Sequence, residues 1–280
     1  MIFVDMLGTK VPSLGFGTFD LTGNRCLHAV NRAIEIGYRN IDTAQFYENE
    51  DEVGNAIKTS GVDREDLFIT TKLWITNLAT REVLSSTETS LKKLKTEYID
   101  LLLIHWPSVH NERKGSQAIP LKETLSAMSK LKESGKIKLM GVANFPVKLM
   151  REAVEELGFP IACNQVEYHA LLSQKIVIDY ARAHNIAVTA YCPLAMGKLI
   201  NNPLLIEIGR KYGKTSAQIA LRWLIEQPNI MAIPRAENEK HARDNFDIFD
   251  FALSDEDTKA IYGLNKNFRV INASIAPEWD

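Results

Sequence analysis

Four polar residues of this chain follow short apolar segments and carry side chains that bind or transfer protons. Asp42 ends one such segment, and Tyr47 lies five positions later. Lys72 and His105 end two further segments. A lysine ammonium that is removed from water needs a counter-ion, which Asp42 can supply. Because positive charge favours the phenolate form of a tyrosine, Tyr47 beside Lys72 is expected to be unusually acidic.

This combination of side chains suits the protonation of an alkoxide as it forms on a carbonyl carbon. Tyr47 would act as the general acid, and His105 would orient the carbonyl oxygen by a hydrogen bond. The hydride must come from a nicotinamide cofactor, since no side chain supplies one. Lys72 can alternatively form a Schiff base, as in a lyase. Taken singly, Asp42 can also be a helix cap and Lys72 a solvated residue.

Length, composition and charge exclude several other classes of protein. The 280 residues are 45% hydrophobic and 24% charged, which is typical of a globular chain and excludes a disordered or fibrous one. A formal net charge of −2 favours neither nucleic acid nor an anionic membrane as a partner. We expect no membrane helix and no signal peptide. The three scattered cysteines predict reduced thiols and a cytoplasmic location.

The hydrophobic pattern alternates between strands and helices along the chain. Eight apolar, β-branched segments predict strands at 14–18, 38–43, 67–72, 99–106, 139–144, 161–167, 187–191 and 230–234. Amphipathic segments predict helices at 26–36, 81–94, 121–132, 147–157, 175–183 and 216–225. This order favours parallel βαβ units closed into one (β/α)₈ TIM barrel, with an open doubly wound sheet as the alternative. The polar residues at the carboxyl ends of the strands would then share one mouth of the barrel.

The two ends of the chain fall outside this repeating pattern. Residues 1–12 predict an N-terminal β-hairpin around Gly8 that plugs the bottom of the barrel. The chain beyond Asn265 predicts an irregular C-terminal tail near one barrel mouth. With no Pro/Gly-rich linker in between, residues 1–280 are expected to form a single domain.

Six short motifs resemble those of the aldo-keto reductase superfamily. They are DTAQFYENE at 42–50, ITTKLW at 69–74, LIHWP at 103–107, GVANF at 141–145, NQVE at 164–167 and AYCPL at 190–194. The match runs in the family's order over about residues 14–264. The loop 194–198 and the ending 276–280 resemble the bacterial 2,5-diketo-D-gluconate reductases more closely.

The resemblance implies a role for each matching position. Asp42, Tyr47, Lys72 and His105 match the family's catalytic residues, with Tyr47 as proton donor. Cofactor-binding positions match Asn144, Gln165, Tyr191, Pro193, Leu194, Arg235, Ala236, His241 and Asn245. Substrate-binding positions match Phe19, Trp74, His105 and Trp106. No metal site is expected, because the six histidines lack metal-ligand spacing.

Two departures from the family pattern concern the cofactor. The family usually has Ser where this chain has Ala143, so one hydrogen bond to the nicotinamide carboxamide is expected to be missing. The 2′-phosphate of NADPH is usually held by Lys, Ser and Arg, and here Arg235, Ala236 and His241 take those positions. We therefore expect NADPH as the cofactor, with NADH as a weaker or alternative donor.

The resemblance implies a monomeric reductase of small carbonyl compounds such as 2,5-diketo-D-gluconate or methylglyoxal. A cofactor-sensing binding module is an alternative from a different class, because some relatives serve mainly as partners of channels. Substrate choice is expected to depend on the loop 108–117, the loop after Leu194 and the C-terminal tail. In that tail, Arg269 is suited to meet a substrate carboxylate, although it can equally lie on the surface.

Overall fold

A computed structural model describes residues 1–107 and 118–280 of the chain. The strands in these two stretches are β1 (Phe3–Met6), β2 (Thr9–Pro12), β3 (Phe16–Gly17), β4 (Asn40–Asp42), β5 (Phe68–Leu73), β6 (Ile99–Ile104), β7 (Ile137–Ala143), β8 (Cys163–Glu167), β9 (Ala187–Tyr191) and β10 (Ile230–Ala232). The α-helices are α1 (Gly23–Ile36), α2 (Glu50–Thr59), α3 (Thr80–Leu94), α4 (Leu121–Glu133), α5 (Val147–Arg151), α6 (Lys175–Ala183), α7 (Pro203–Tyr212), α8 (Ser216–Ile225), α9 (Glu239–Phe246) and α10 (Asp255–Tyr262).

Strands β3 to β10 lie side by side in chain order and pair in parallel. The first and last strands also meet, since Leu14 forms a parallel bridge with Ala232 and the Gly17 amide donates to the Pro234 carbonyl at 3.1 Å. A Cβ atom on Gly17 would lie 2.8 Å from the Ile233 carbonyl oxygen, so only glycine permits this approach. The predicted (β/α)₈ barrel is confirmed, and the open sheet is excluded.

The sequence pattern underestimated the number of helices. Helices α2, α7, α9 and α10 were not predicted, and the helix predicted at 147–157 is divided into α5 and a π-helical segment, Glu152–Glu156. In α2, Gly54 interrupts the apolar pattern. The structure explains this glycine, because a Cβ there would lie 2.2 Å from the Lys93 carbonyl oxygen of α3. Close helix packing therefore overrides the local helix propensity at this position.

The N-terminal hairpin and the C-terminal tail lie where the sequence predicts them. Strands β1 and β2 pair antiparallel, and Met6 and Val11 pack with residues of the barrel interior such as Leu101. The tail is attached to the opposite end of the barrel, where the backbone amides of Val270 and Ile271 donate to the carboxylate of Glu167 at the end of β8. The predicted substrate loop 108–117 falls outside the described residues.

Candidate active site

Lys72 and Asp42 form a buried ion pair at the carboxyl ends of two neighbouring strands. The Lys72 side chain is fully buried, and its Nζ lies 2.5 Å from Asp42 Oδ1 and 2.7 Å from the Thr43 carbonyl oxygen. Asp42 Oδ2 accepts a hydrogen bond of 2.7 Å from Gln165 Nε2. Burial lowers the pKa of Lys72, and the Asp42 charge and hydrogen bond oppose that effect. Both carboxylate oxygens of Asp42 are thus engaged by buried donors.

Tyr47 contacts this pair through its hydroxyl group. It lies in the short 3₁₀ turn Gln45–Tyr47, and its hydroxyl oxygen is 3.2 Å from Lys72 Nζ. Burial raises the pKa of Tyr47 well above 10, and the negative charge of Asp42 raises it further. The prediction of an acidified phenol is therefore wrong, because Asp42 offsets the charge of Lys72 and burial disfavours a phenolate. The structure keeps Tyr47 protonated and ready to donate.

His105 is a buried, neutral imidazole beside Tyr47. The two ring centroids are 5.6 Å apart in an edge-to-face arrangement. Burial lowers the pKa of His105 well below 6.5, and the positive charge of Lys72 adds to this effect. The ring therefore carries one N–H group that can donate to a ligand oxygen. Its buried Nδ1 atom has no hydrogen-bond partner within residues 1–107 and 118–280.

Aromatic side chains surround Tyr47 and His105. The ring of Trp74 contacts His105 edge-on, with ring centroids 5.3 Å apart. Phe19 contacts Tyr47 in the same way, with ring centroids 5.1 Å apart. Phe46, which the sequence analysis did not select, stacks on Trp74 at 4.0 Å although about half of it is exposed. The available sequence signal for Phe46 was an aromatic residue directly before Tyr47 in the same motif. Together these rings form apolar walls around a polar centre.

Gln45 and Trp106 connect this aromatic cluster to neighbouring segments of the chain. Gln45 Oε1 accepts hydrogen bonds from the Trp74 backbone amide at 3.1 Å and from Asn77 Nδ2 at 2.9 Å. Trp106, which the sequence analysis placed in the substrate pocket, is nearly buried and meets Trp279 of the tail with ring centroids 6.2 Å apart. The tail therefore reaches the strand end that carries His105.

Three of the predicted cofactor residues converge on the same centre. Asn144 adopts a left-handed backbone conformation with φ 62°. Its Nδ2 donates to the His105 carbonyl oxygen at 2.9 Å, and its Oδ1 accepts from the Tyr191 hydroxyl at 2.8 Å. Gln165 joins the centre through Asp42, as described above. Side-chain amides and the Tyr191 ring, fixed by a hydrogen bond, form a donor and acceptor set that fits a planar ring bearing a carboxamide.

The loop after β9 has an unusual backbone. Cys192, Ala195 and Met196 all have positive φ angles of 48–51°, which is uncommon for residues other than glycine. Pro193 is buried and Leu194 is half-buried between them. Clustered strain of this kind is typical of ligand-binding segments, and this is the loop that the sequence analysis assigned to the cofactor.

The residues expected at the adenosine 2′-phosphate include two exposed and two buried side chains. Arg235 is exposed and forms an ion pair of 2.7 Å with Asp20, and its guanidinium also reaches the Phe19 carbonyl oxygen. His241 is exposed at the start of α9, whereas Ala236 and Asn245 are buried. Arg235 therefore offers a permanent positive charge to solvent, at present shared with one carboxylate.

Within the described part of the chain, no cluster of three or more His, Cys, Asp or Glu side chains is arranged to hold a metal ion. No helix of that part has the length and apolar character to cross a membrane. Cys26, Cys163 and Cys192 are free thiols, as the sequence analysis expects.

Comparisons with known proteins agree with this geometry. A profile of the aldo/keto reductase family matches residues 13–266. Methylglyoxal reductase DkgB of Yersinia pestis is 39% identical over 273 residues, which are 97% of this chain and all of that protein. Glyoxal reductase of Bacillus subtilis is 41% identical over 264 residues, or 94% of this chain and 92% of the relative. A crystal structure provisionally assigned as 2,5-diketo-D-gluconic acid reductase B has a TM-score of 0.95 and 41% identity, covering 100% of this chain and 98% of its own. This chain therefore belongs to the aldo/keto reductase family.

Proposed function

We propose that this protein is an NADPH-dependent carbonyl reductase in which Tyr47 donates the proton. The observation that carries the proposal is the contact of the Tyr47 hydroxyl with Lys72 Nζ, 3.2 Å away, beside the neutral ring of His105. A protonated phenol, a buried cation and a neutral hydrogen-bond donor together suit a carbonyl oxygen that gains negative charge. The family membership and the reductases among the relatives support this assignment.

Asn144, Gln165, Tyr191, Pro193 and Leu194 would hold the cofactor, which supplies a hydride to the carbonyl carbon when bound. The amide groups of Asn144 and Gln165 would orient its carboxamide, and the ring of Tyr191 would support its nicotinamide. Because Ala143 has no hydroxyl group, only the amides of Asn144 and Gln165 would orient the carboxamide in this proposal. The hydrogen bond from Tyr191 to Asn144 fixes the ring before any ligand binds.

The remaining residues of the site would act on the carbonyl oxygen. His105 would donate a hydrogen bond that fixes this oxygen beside Tyr47. As charge develops on the oxygen, Tyr47 would transfer its proton, and the Lys72 ammonium would stabilise the negative charge left on the phenol oxygen. Asp42 would hold Lys72 in position, and its negative charge favours the charged form of Lys72. The rings of Phe19, Phe46, Trp74 and Trp106 would exclude water and bind the apolar parts of the substrate.

The 2′-phosphate of NADPH would be bound at Arg235, Ala236, His241 and Asn245. Arg235 suits a bidentate contact with phosphate. The exposed ion pair with Asp20 costs little to break, since surface ion pairs contribute about 0–1 kcal/mol. Because Ala236 has no hydroxyl group, we propose that NADH is a weaker or alternative donor.

The substrates would be small ketoses, keto sugar acids such as 2,5-diketo-D-gluconate, or reactive aldehydes such as methylglyoxal. The names of the relatives, a methylglyoxal reductase and a glyoxal reductase, support this range. We further propose that residues 1–280 form one domain that acts as a monomer in the cytoplasm.

A panel assay tests the proposal. The purified protein is mixed with methylglyoxal, 2,5-diketo-D-gluconate or a simple aldehyde, and with NADPH or NADH, and the absorbance of the reduced nicotinamide is followed. Steady oxidation of NADPH that depends on the carbonyl compound is the expected result. Tight NADPH binding without turnover would instead indicate a cofactor-sensing module. Trapping of a substrate adduct on Lys72 by borohydride, without cofactor, would indicate the Schiff-base lyase.

A further inference from the structure

The C-terminal tail places an arginine with an unsatisfied donor at the mouth of the barrel. Arg269 is half-buried, and its Nη1 atom is buried without a hydrogen-bond partner within the described residues 1–107 and 118–280. A buried donor that lacks a partner is costly, and a guanidinium keeps its charge in proteins. Burial lowers the pKa of Arg269, and the negative charge of Glu167 opposes that effect. An anionic ligand would therefore stabilise this cation.

The carboxylate of Glu167 acts on Arg269 through its charge, but its hydrogen bonds within residues 1–107 and 118–280 go to other groups. Glu167 is fully buried, and its Oε1 accepts from the Val270 amide at 2.7 Å and faces His169 Nε2 at 3.0 Å. Its Oε2 accepts from the Ile271 amide at 2.9 Å. Glu167 therefore fixes the backbone directly after Arg269 and leaves the guanidinium free to bind another group.

Two aromatic side chains connect Arg269 to the strand end that carries His105. The guanidinium carbon lies 3.8 Å from the centre of the Trp279 ring, a cation–π contact that holds its plane. Trp279 in turn meets Trp106, which follows His105 directly. An electrostatic interaction also links Arg269 to Tyr191, the proposed support of the nicotinamide. Arg269 is thus linked to Tyr191 at the proposed cofactor position and, through Trp279, to Trp106 of the proposed substrate pocket.

We propose that Arg269 is a specificity-determining residue that binds the carboxylate of an oxo-acid substrate. This inference rests on the proposed reductase function and narrows its substrate class from carbonyl compounds in general to aldehydo and keto acids. A planar guanidinium binds a carboxylate through two parallel hydrogen bonds, so it would also fix the distance between the acid group and the reacting carbonyl. Neutral carbonyl compounds would lack this contact.

The test compares two probes that differ in one charge, succinic semialdehyde and its methyl ester. The kcat/KM of each is measured with NADPH for the wild-type protein, Arg269→Met and Arg269→Lys. Since charge-assisted hydrogen bonds are among the stronger ones, the acid-to-ester ratio of kcat/KM should fall about tenfold to a hundredfold in Arg269→Met and recover partly in Arg269→Lys. Arg151→Met is the matched control, because it removes an exposed helix arginine that pairs with Glu155, and it should leave the ratio unchanged.

A second measurement uses the wild-type protein alone and does not depend on the folding of a variant. Raising the salt from about 0.05 M to about 0.5 M should raise the KM of the acid several-fold more than the KM of the ester. The dissociation constant of NADPH, measured by fluorescence, shows which anion Arg269 binds. Weaker NADPH binding in Arg269→Met with equal losses for both probes would assign the arginine to a cofactor phosphate and overturn the proposal.

Two further outcomes separate this inference from the proposed function. If the wild-type protein reduces both probes and neither Arg269→Met nor salt changes their ratio, the inference about Arg269 is wrong and the reductase function stands. If none of the carbonyl compounds supports oxidation of NADPH by the wild-type protein, the proposed function itself fails, and the inference fails with it.

Discussion

Gln165 and Asp42, which are 123 positions apart in the chain, are joined by a hydrogen bond of 2.7 Å between Gln165 Nε2 and Asp42 Oδ2. Asp42 also carries the ion pair with Lys72. One buried carboxylate therefore links a residue of the proposed cofactor site to Lys72, which contacts the proposed proton donor Tyr47. The hydrogen bond from Gln165 and the ion pair with Lys72 together fix the position of Asp42.

The Gln165→Met variant tests this link. It keeps the length of the side chain but leaves a buried oxygen of Asp42 without its donor, so the free energy of unfolding should fall by about 1–3 kcal/mol. The dissociation constant of NADPH should rise as well. Urea denaturation and fluorescence titration measure these two effects. Gln227→Met, which removes another buried amide that bonds to Tyr168, should lower stability without changing NADPH affinity. Equal effects of both variants on NADPH binding would contradict the link.

The Tyr47→Phe variant removes the proposed proton donor while keeping the ring. Because general acid catalysis contributes about 10²–10⁴-fold, kcat with an aldehyde should fall by about that factor. Lys72 keeps Asp42 and the Thr43 carbonyl oxygen as partners, so the fold and the affinity for NADPH should stay near those of the wild type. Turnover and NADPH titration are the measurements. An unchanged kcat would remove Tyr47 from its role.

Because His105 is buried, we predict that the free energy of unfolding decreases as the pH falls below neutrality. Burial, helped by the charge of Lys72, lowers its pKa well below 6.5 in the folded protein, whereas the unfolded chain has the ordinary value. Below pH 6.5 the unfolded state therefore binds a proton that the folded state does not. The free energy of unfolding should then fall by up to about 1.4 kcal/mol per pH unit from this group.

Urea denaturation between pH 7 and pH 5 measures that slope. His105→Gln should show a smaller slope than the wild type, since it cannot take up the proton in the unfolded state. His28→Gln, in which an exposed histidine is replaced, is the matched control and should keep the wild-type slope. Identical slopes for the wild type and His105→Gln would contradict the prediction.

Arg235→Ala tests the proposed preference for NADPH. Loss of one charged phosphate contact should raise the KM for NADPH by about tenfold or more, and the KM for NADH should change little. Asp20→Asn gives the complementary result, because it frees Arg235 from its ion pair and should lower the KM for NADPH. Steady-state kinetics with both cofactors measure the effects. A large NADPH preference that survives Arg235→Ala would show that other residues bind the phosphate.

The sequence by itself determined the barrel and which polar side chains lie together at its mouth. Continuous apolar segments such as 101–104 identify strands that are covered on both faces, and parallel strands bring their carboxyl ends to one mouth. Asp42, Lys72 and His105 were therefore predicted together from local pattern alone. Asn144, Gln165 and Tyr191 followed from short motifs, since each motif lies at the end of one strand.

Only the tertiary structure decided properties that depend on distant contacts. The high pKa of Tyr47 results from burial and from the charge of Asp42 outweighing the expected effect of Lys72, and no spacing along the chain shows that balance. The stack of Phe46 on Trp74 joins two different loops. The packing of Arg269 on Trp279 depends on Glu167, about a hundred positions earlier, which holds the tail backbone through two amides. Burial and long-range pairing depend on residues that are distant in the chain and come together only when it folds. They are therefore not properties of local sequence.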